Sequence, residues 1–99
     1  NVYIFPAIGL AVTASGARRV TDGMILAAAR ELAENSPALR DASASLLPAL
    51  TDIREVAVQI AIAVGQEAQR AGVAPKTSKE ELRRRVIATQ WVPAYPSLS

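Results

Sequence analysis

The sequence predicts an all-α chain of about four helices. Hydrophobic residues make up 51% of it and aromatic ones only 4%, so alanine supplies much of the apolar content. That composition suits closely packed helices better than a β-sandwich. Apolar residues also recur at helical spacing through the middle of the chain. Start and stop signals then cut the sequence into pieces of helical length.

The elements follow in order. Val2 to Phe5 is β-branched and aromatic and predicts a short extended entry. Pro6 suits a first helical position, and Ile8, Leu10, Ala11 and Val12 continue a helix expected to be buried on all sides. It should end near Ser15 and Gly16, with Gly9 marking close approach of another backbone. Thr21 and Asp22 can cap a second helix, from Asp22 to Asn35, with Leu26, Ala29, Leu32 and Ala33 on one face. Pro37 stops it, and residues 37–50 read as a loop with one helical turn at 38–42.

Asp52 and Glu55 have capping-box spacing for a third helix that Gly72 closes. Ile53, Val56, Ala57, Ile60, Ala61 and Val64 keep one stripe on it, while Val58 and Ile62 imply a second covered face. Ser78 and Glu81 form a capping box for a fourth helix to about Thr89, with Leu82, Val86 and Ile87 inward. The tail from Trp91 to Pro96 is expected to be non-helical.

Ninety-nine residues suffice for one small domain. The uncharged apolar opening from Val2 to Ala17 needs something to pack against, which predicts a segment of a larger fold. It is shorter than a spanning helix and lacks a basic leader, so neither a membrane span nor a signal peptide is expected. Cysteine and histidine are both absent, which excludes disulfides, thiolate chemistry, His-ligated metals and His general bases. A net charge of +2 does not by itself imply an acidic partner.

Gly9, Gly16 and Gly23 recur every seven residues but do not make a dinucleotide or P-loop pattern, and read as two helix ends and a packing glycine. Asp22, Asp52, Glu80 and Glu81 sit at helix starts, where the dipole favours acids, so no metal pair or acid–base dyad is expected here. Arg83, Arg84 and Arg85 point in three directions round a helix and read as a solvated face, with nucleic-acid binding as the sharper alternative. Arg18 and Arg19 could hold a phosphate or carboxylate, or pair with acids elsewhere; the residues leave both open. Trp91 and Tyr95 read as anchors for the tail.

One resemblance spans nearly the whole chain. Asn1-Val2-Tyr3-Ile4-Phe5-Pro6, then Ile8-Gly9-Leu10 and Ser15-Gly16-Ala17-Arg18-Arg19-Val20-Thr21-Asp22, resembles the malic enzymes. The likeness continues through Leu46-Leu47-Pro48, Asp52-Ile53-Arg54-Glu55-Val56 and the Trp91, Pro93, Tyr95 tail. It implies that residues 1–99 are the C-terminal helical segment, with tail, of the NAD(P)-binding domain of a larger α/β Rossmann-type enzyme. Malic enzymes oxidise L-malate with NAD or NADP and decarboxylate the product to pyruvate with Mg or Mn. The resemblance puts the proton-transferring lysine and tyrosine, the metal acids and the dinucleotide glycines upstream, so this segment carries no catalytic or metal residue. Asn1 matches a family asparagine that contacts substrate. An uncharged amide can donate there without disturbing a metal. Ala7 stands where the family usually has glycine.

The resemblance further implies a homo-oligomer, partnered by the remainder of the enzyme and by L-malate, and cytoplasmic if bacterial. No nucleic-acid or membrane partner is expected, and the segment alone should be inactive. Two rival readings are a free-standing helical interaction module working through its first helix, and a weak nucleic-acid-binding helix pair centred on Arg83 to Arg85.

Overall fold

The computed structural model describes residues 4–35 and 50–91, and these form four helices with no strand among them. They are α1 (Ile4–Ser15), α2 (Asp22–Asn35), α3 (Leu50–Arg70) and α4 (Lys79–Trp91). The predictions for Val2 and Tyr3, residues 36–49, and the tail beyond Trp91 lie outside the described residues.

Helix α3 is the hub and packs against the other three. Of its residues, Ile60, Ala61, Val64 and Ala68 are fully buried, and Val58 and Ile62 nearly so. Both of its faces are therefore covered, as Val58 and Ile62 predicted. Met24 from α2 and Leu82 and Val86 from α4 complete the set of largest fully buried side chains. Each stabilises the fold by roughly 1.5–3 kcal/mol relative to exposure.

Helix α1 turns Ile4, Ala7, Ile8, Ala11 and Ala14 inward. It starts at Ile4, so Ile4 and Phe5 are helical rather than extended. Pro6 is the third helical residue, where its missing N–H still costs no intrahelical bond. Its burial on all sides is not found among the described residues: Phe5, Pro6, Gly9 and Thr13 are exposed. Gly9 has no close neighbour either, since nothing among the described residues lies within 4 Å of an added Cβ.

Helix α2 occupies the predicted span, and the Thr21 hydroxyl caps it by accepting from the Met24 N–H at 3.1 Å. Its buried stripe is Met24, Ala28 and Leu32, whereas Leu26, Ala29 and Ala33 of the predicted face are exposed. The stripe is rotated because α2 rests on α1 and α3 together, and that seat fits the edge carrying Met24.

Helix α3 begins at Leu50, two residues before the expected cap. Asp52 is thus its third residue and cannot be the N-cap. The helix ends in a Schellman motif. The Gly72 N–H donates to Gln69 O at 3.2 Å and the Val73 N–H to Ala68 O at 3.0 Å, with Gly72 at φ 81°.

At α4, the Ser78 hydroxyl accepts from the Glu81 N–H at 3.0 Å. The reciprocal half of the capping box is not made by Glu81, whose carboxylate turns to Arg84 and Arg85 instead. The helix also runs two residues past Thr89 and includes the backbone of Trp91.

Gly65 of α3 faces Leu82 of α4. A Cβ there would lie 2.9 Å from Leu82 Cδ2. The missing Cβ leaves room for the Leu82 side chain against α3.

Candidate functional site

Two turns meet at one end of the bundle. The first joins α1 to α2 and holds Gly16, Arg18 and Arg19; the second joins α3 to α4 and holds Gly72, Val73 and Pro75. Gly16, at φ 76°, ends α1, and the N–H groups of Gly16 and Ala17 both donate to Val12 O. A Cβ on Gly16 would meet Pro75 Cδ at 3.6 Å, so the two turns touch.

Arg18 laces them together. Its N–H donates to Val73 O at 2.8 Å and its guanidinium to Gly72 O at 2.6 Å. A guanidinium at the end of α3 satisfies a carbonyl beyond the reach of the helix ladder and sits at the negative end of the dipole. The sequence offered a bound anion or a distant acid for Arg18; among the described residues its partners are backbone carbonyls. Arg19 beside it is exposed.

Next to this junction, Gln69 is 9% exposed and donates to Thr77 Oγ1 at 2.9 Å. Ser15, 2% exposed, has a hydroxyl with no hydrogen-bond partner among the described residues. Neither signals itself in the sequence, because helix-end serines and glutamines normally face solvent.

Glu67 and Glu81 are tied to arginines on their own helices. Glu67 receives two hydrogen bonds from Arg70, at 2.9 and 2.5 Å. These bonds pull its pKa below the ordinary carboxylate value; the charges of Arg70 and Arg30 assist, while burial opposes. Its Oε2 would lie 2.6 Å from a Cβ on Gly23, so the carboxylate rests over the second residue of α2. That position favours a negative charge. Glu81 is lowered first by its hydrogen bond from Arg85, with the charges of Arg84 and Arg85 adding and burial opposing.

Arg83, Arg84 and Arg85 are all exposed, as a solvated face requires. Glu81 pairs with the second and third of them. A groove of about 590 Å³ runs along Glu80, Arg83, Arg84 and Ile87.

No three His, Cys, Asp or Glu side chains among the described residues converge to hold a metal ion. Gly9 lies inside α1, Gly16 ends it, and Gly23 is the second residue of α2. None of the three opens a strand–loop–helix turn that would cradle a diphosphate. The donors among the described residues therefore fit neither a divalent ion nor a dinucleotide. Asn1, the predicted substrate contact, lies outside the described residues, as do the side chain of Trp91 and all of Tyr95.

Comparison with known proteins decides the family. A family profile described as "Malic enzyme, NAD binding domain" matches residues 1–69. The chain belongs to the malic enzyme family. It is 56% identical over 97 residues to an NAD-dependent malic enzyme of Edwardsiella ictaluri, covering 98% of this chain and 17% of that protein. It is 52% identical over 95 residues to one from Erwinia tasmaniensis, covering 96% of this chain and 17% of the relative. Against one from Cronobacter sakazakii it is 50% identical over 97 residues, again covering 98% and 17%.

The chain thus spans about a sixth of the length of these malic enzymes. The profile takes in α1, α2 and almost all of α3, including Arg18 but not its partners Gly72 and Val73, and stops before α4 and its arginines. The parent protein is an enzyme, and NAD is the cofactor named for its relatives. No helix among the described residues is long and apolar enough to cross a membrane.

Proposed function

We propose that this chain is the C-terminal helical segment of an NAD(P)-binding domain, with tail, in an enzyme that oxidatively decarboxylates L-malate. The observation that carries this reading is the family match over residues 1–69, joined to relatives 50–56% identical across almost the whole chain. The net reaction balances as L-malate plus NAD⁺ giving pyruvate, carbon dioxide and NADH. NAD is favoured over NADP because the relatives carry that name. On this reading NAD would supply the hydride acceptor and Mg or Mn the Lewis acid for the decarboxylation, and the residues that would hold them belong to the rest of the polypeptide. The enclosing Rossmann-type α/β fold, a homo-oligomeric assembly and a cytoplasmic location in a bacterial source belong to the same reading.

Within this chain, Asn1 is assigned to substrate. Its amide donates to a malate carboxylate or hydroxyl and adds no charge beside the metal. The four-helix unit holds that contact in place: α1 follows Asn1 by three residues and is pinned to α3 along its inner face and through the turn that Arg18 closes. The 99 residues alone are inactive on this reading.

Asn1→Ala in the full-length enzyme tests the assignment. Loss of one hydrogen bond to a charged group costs about 1.5–3 kcal/mol. That is roughly a 10- to 150-fold fall in kcat/KM for malate. The KM for NAD should change much less. An unchanged kcat/KM for malate would remove Asn1 from the substrate site.

A further inference from the structure

Helix α1, with the sequence IFPAIGLAVTAS, contains no charged residue on any face. A helix apolar all round is one that is covered all round. Among the described residues the covered side is the one with Ile4, Ala7, Ile8, Ala11 and Ala14. On the other side Phe5 is 64% exposed, and Pro6, Gly9 and Thr13 are open with it. Phe5, Gly9 and Thr13 are four residues apart, so they form one stripe with a large ring at one end and a gap in the middle.

The gap is the informative part. A glycine inside a helix costs stability relative to alanine. Gly23 and Gly65 each give room to a neighbour, the Glu67 carboxylate in one case and the Leu82 methyls in the other. Gly9 gives room to nothing among the described residues. Its cost is unexplained among the described residues, while a backbone arriving from outside them would account for it.

We infer that the stripe of Phe5, Gly9 and Thr13 is where the remainder of the parent malic enzyme seats against this segment. The occupant is an uncharged, apolar surface whose main chain comes closest at Gly9 and which packs around the Phe5 ring. This rests on the fragment reading proposed above and adds to it a particular face. The chain amounts to 17% of its relatives' length, and the family profile that includes α1 ends at residue 69. A second copy is the weaker occupant. A stable dimer buries about 800 Å² per partner, far more than one exposed phenylalanine and its small neighbours offer. A cover from the same polypeptide meets no such requirement, because covalent connection spares the entropy lost on association.

The sequence has no cysteine, so a single introduced thiol reports on the face alone within this segment. Thr13→Cys is compared with Ser78→Cys, which lies on exposed chain outside the family match. Each variant is alkylated with iodoacetamide both in the dilute 99-residue chain and in the full-length enzyme, and labelling is followed by mass spectrometry of the peptide. Thr13→Cys should react freely in the 99-residue chain. In the full-length enzyme it should react on the order of tenfold more slowly or worse, as for a site that reacts only on local opening. Ser78→Cys should keep its relative rate.

Equal Thr13→Cys rates in both proteins would overturn the proposal. So would protection already present in the dilute 99-residue chain, which would mean that the chain covers the face itself. Protection lost when the enzyme is diluted into subunits would assign the stripe to a second copy and equally overturn it. The alkylation does not depend on turnover, so an enzyme that failed to act on malate would sink the functional reading and leave this result standing.

Discussion

Gly65→Ala sets two opposed effects against each other. In a helix interior the change gains about 1 kcal/mol of helix propensity. Here, however, the new Cβ would sit 2.9 Å from Leu82 Cδ2 and 3.1 Å from Cδ1, and Leu82 is fully buried. Overpacking of that kind costs about 1–3 kcal/mol. The net effect should be a loss of up to about 2 kcal/mol, with a fall of roughly 4–8 °C in Tm per kcal/mol. Leu82→Val removes the two Cδ atoms and most of the clash. In that background Gly65→Ala should therefore become stabilising by about 1 kcal/mol. Urea unfolding of the four proteins in the cycle, followed by circular dichroism at low protein concentration, measures the coupling. A Gly65→Ala change that stabilised both backgrounds equally would refute the idea that the missing Cβ sets the α3–α4 approach.

Other predictions follow from the same packing. Ser15→Ala deletes a buried hydroxyl that has no partner among the described residues and should raise stability by up to about 1 kcal/mol in the same urea assay; a loss would reveal a bond that the hydroxyl makes. Gly72→Ala has open space but a φ of 81°, so it should cost about 1 kcal/mol from backbone strain alone, read as a lower urea midpoint. Glu67 has a pKa depressed by Arg70, so its contribution is complete above the ordinary carboxylate pKa, about 4.3, and is lost as pH falls through the lowered folded value. Glu67→Gln should therefore be less stable than the parent at neutral pH and converge with it under acid; a gap that persisted in acid would remove the ion pair as its cause.

Much of the helical framework could be read in the sequence because its signals are local. Thr21 before the run and Pro37 after it bracket α2, and the structure starts that helix at Asp22 and ends it at Asn35. Gly72 stops α3, and Leu82 and Val86 face inward from α4. The faces were less legible. Met24 through Ala29, Leu32 and Ala33 run round most of α2, so periodicity alone cannot say which edge is covered. Tertiary packing chose Met24, Ala28 and Leu32. The glycines divided for a similar reason: Gly9 drew notice by lying in an apolar run, yet the close contact is at Gly65, a position marked by nothing local. Arg18 was legible as a special cation but not as a clamp, since Gly72 is 54 residues away. Asn1 came only through resemblance, and its geometry lies outside the described residues.

The most direct test of the central claim is NADH formation by the purified full-length protein on L-malate, with pyruvate measured in the same reaction. The account predicts malate-dependent reduction of NAD, with one pyruvate released per NADH and none formed by the 99 residues alone. Absence of malate-dependent NAD reduction, or NADH appearing with no matching pyruvate, would contradict it.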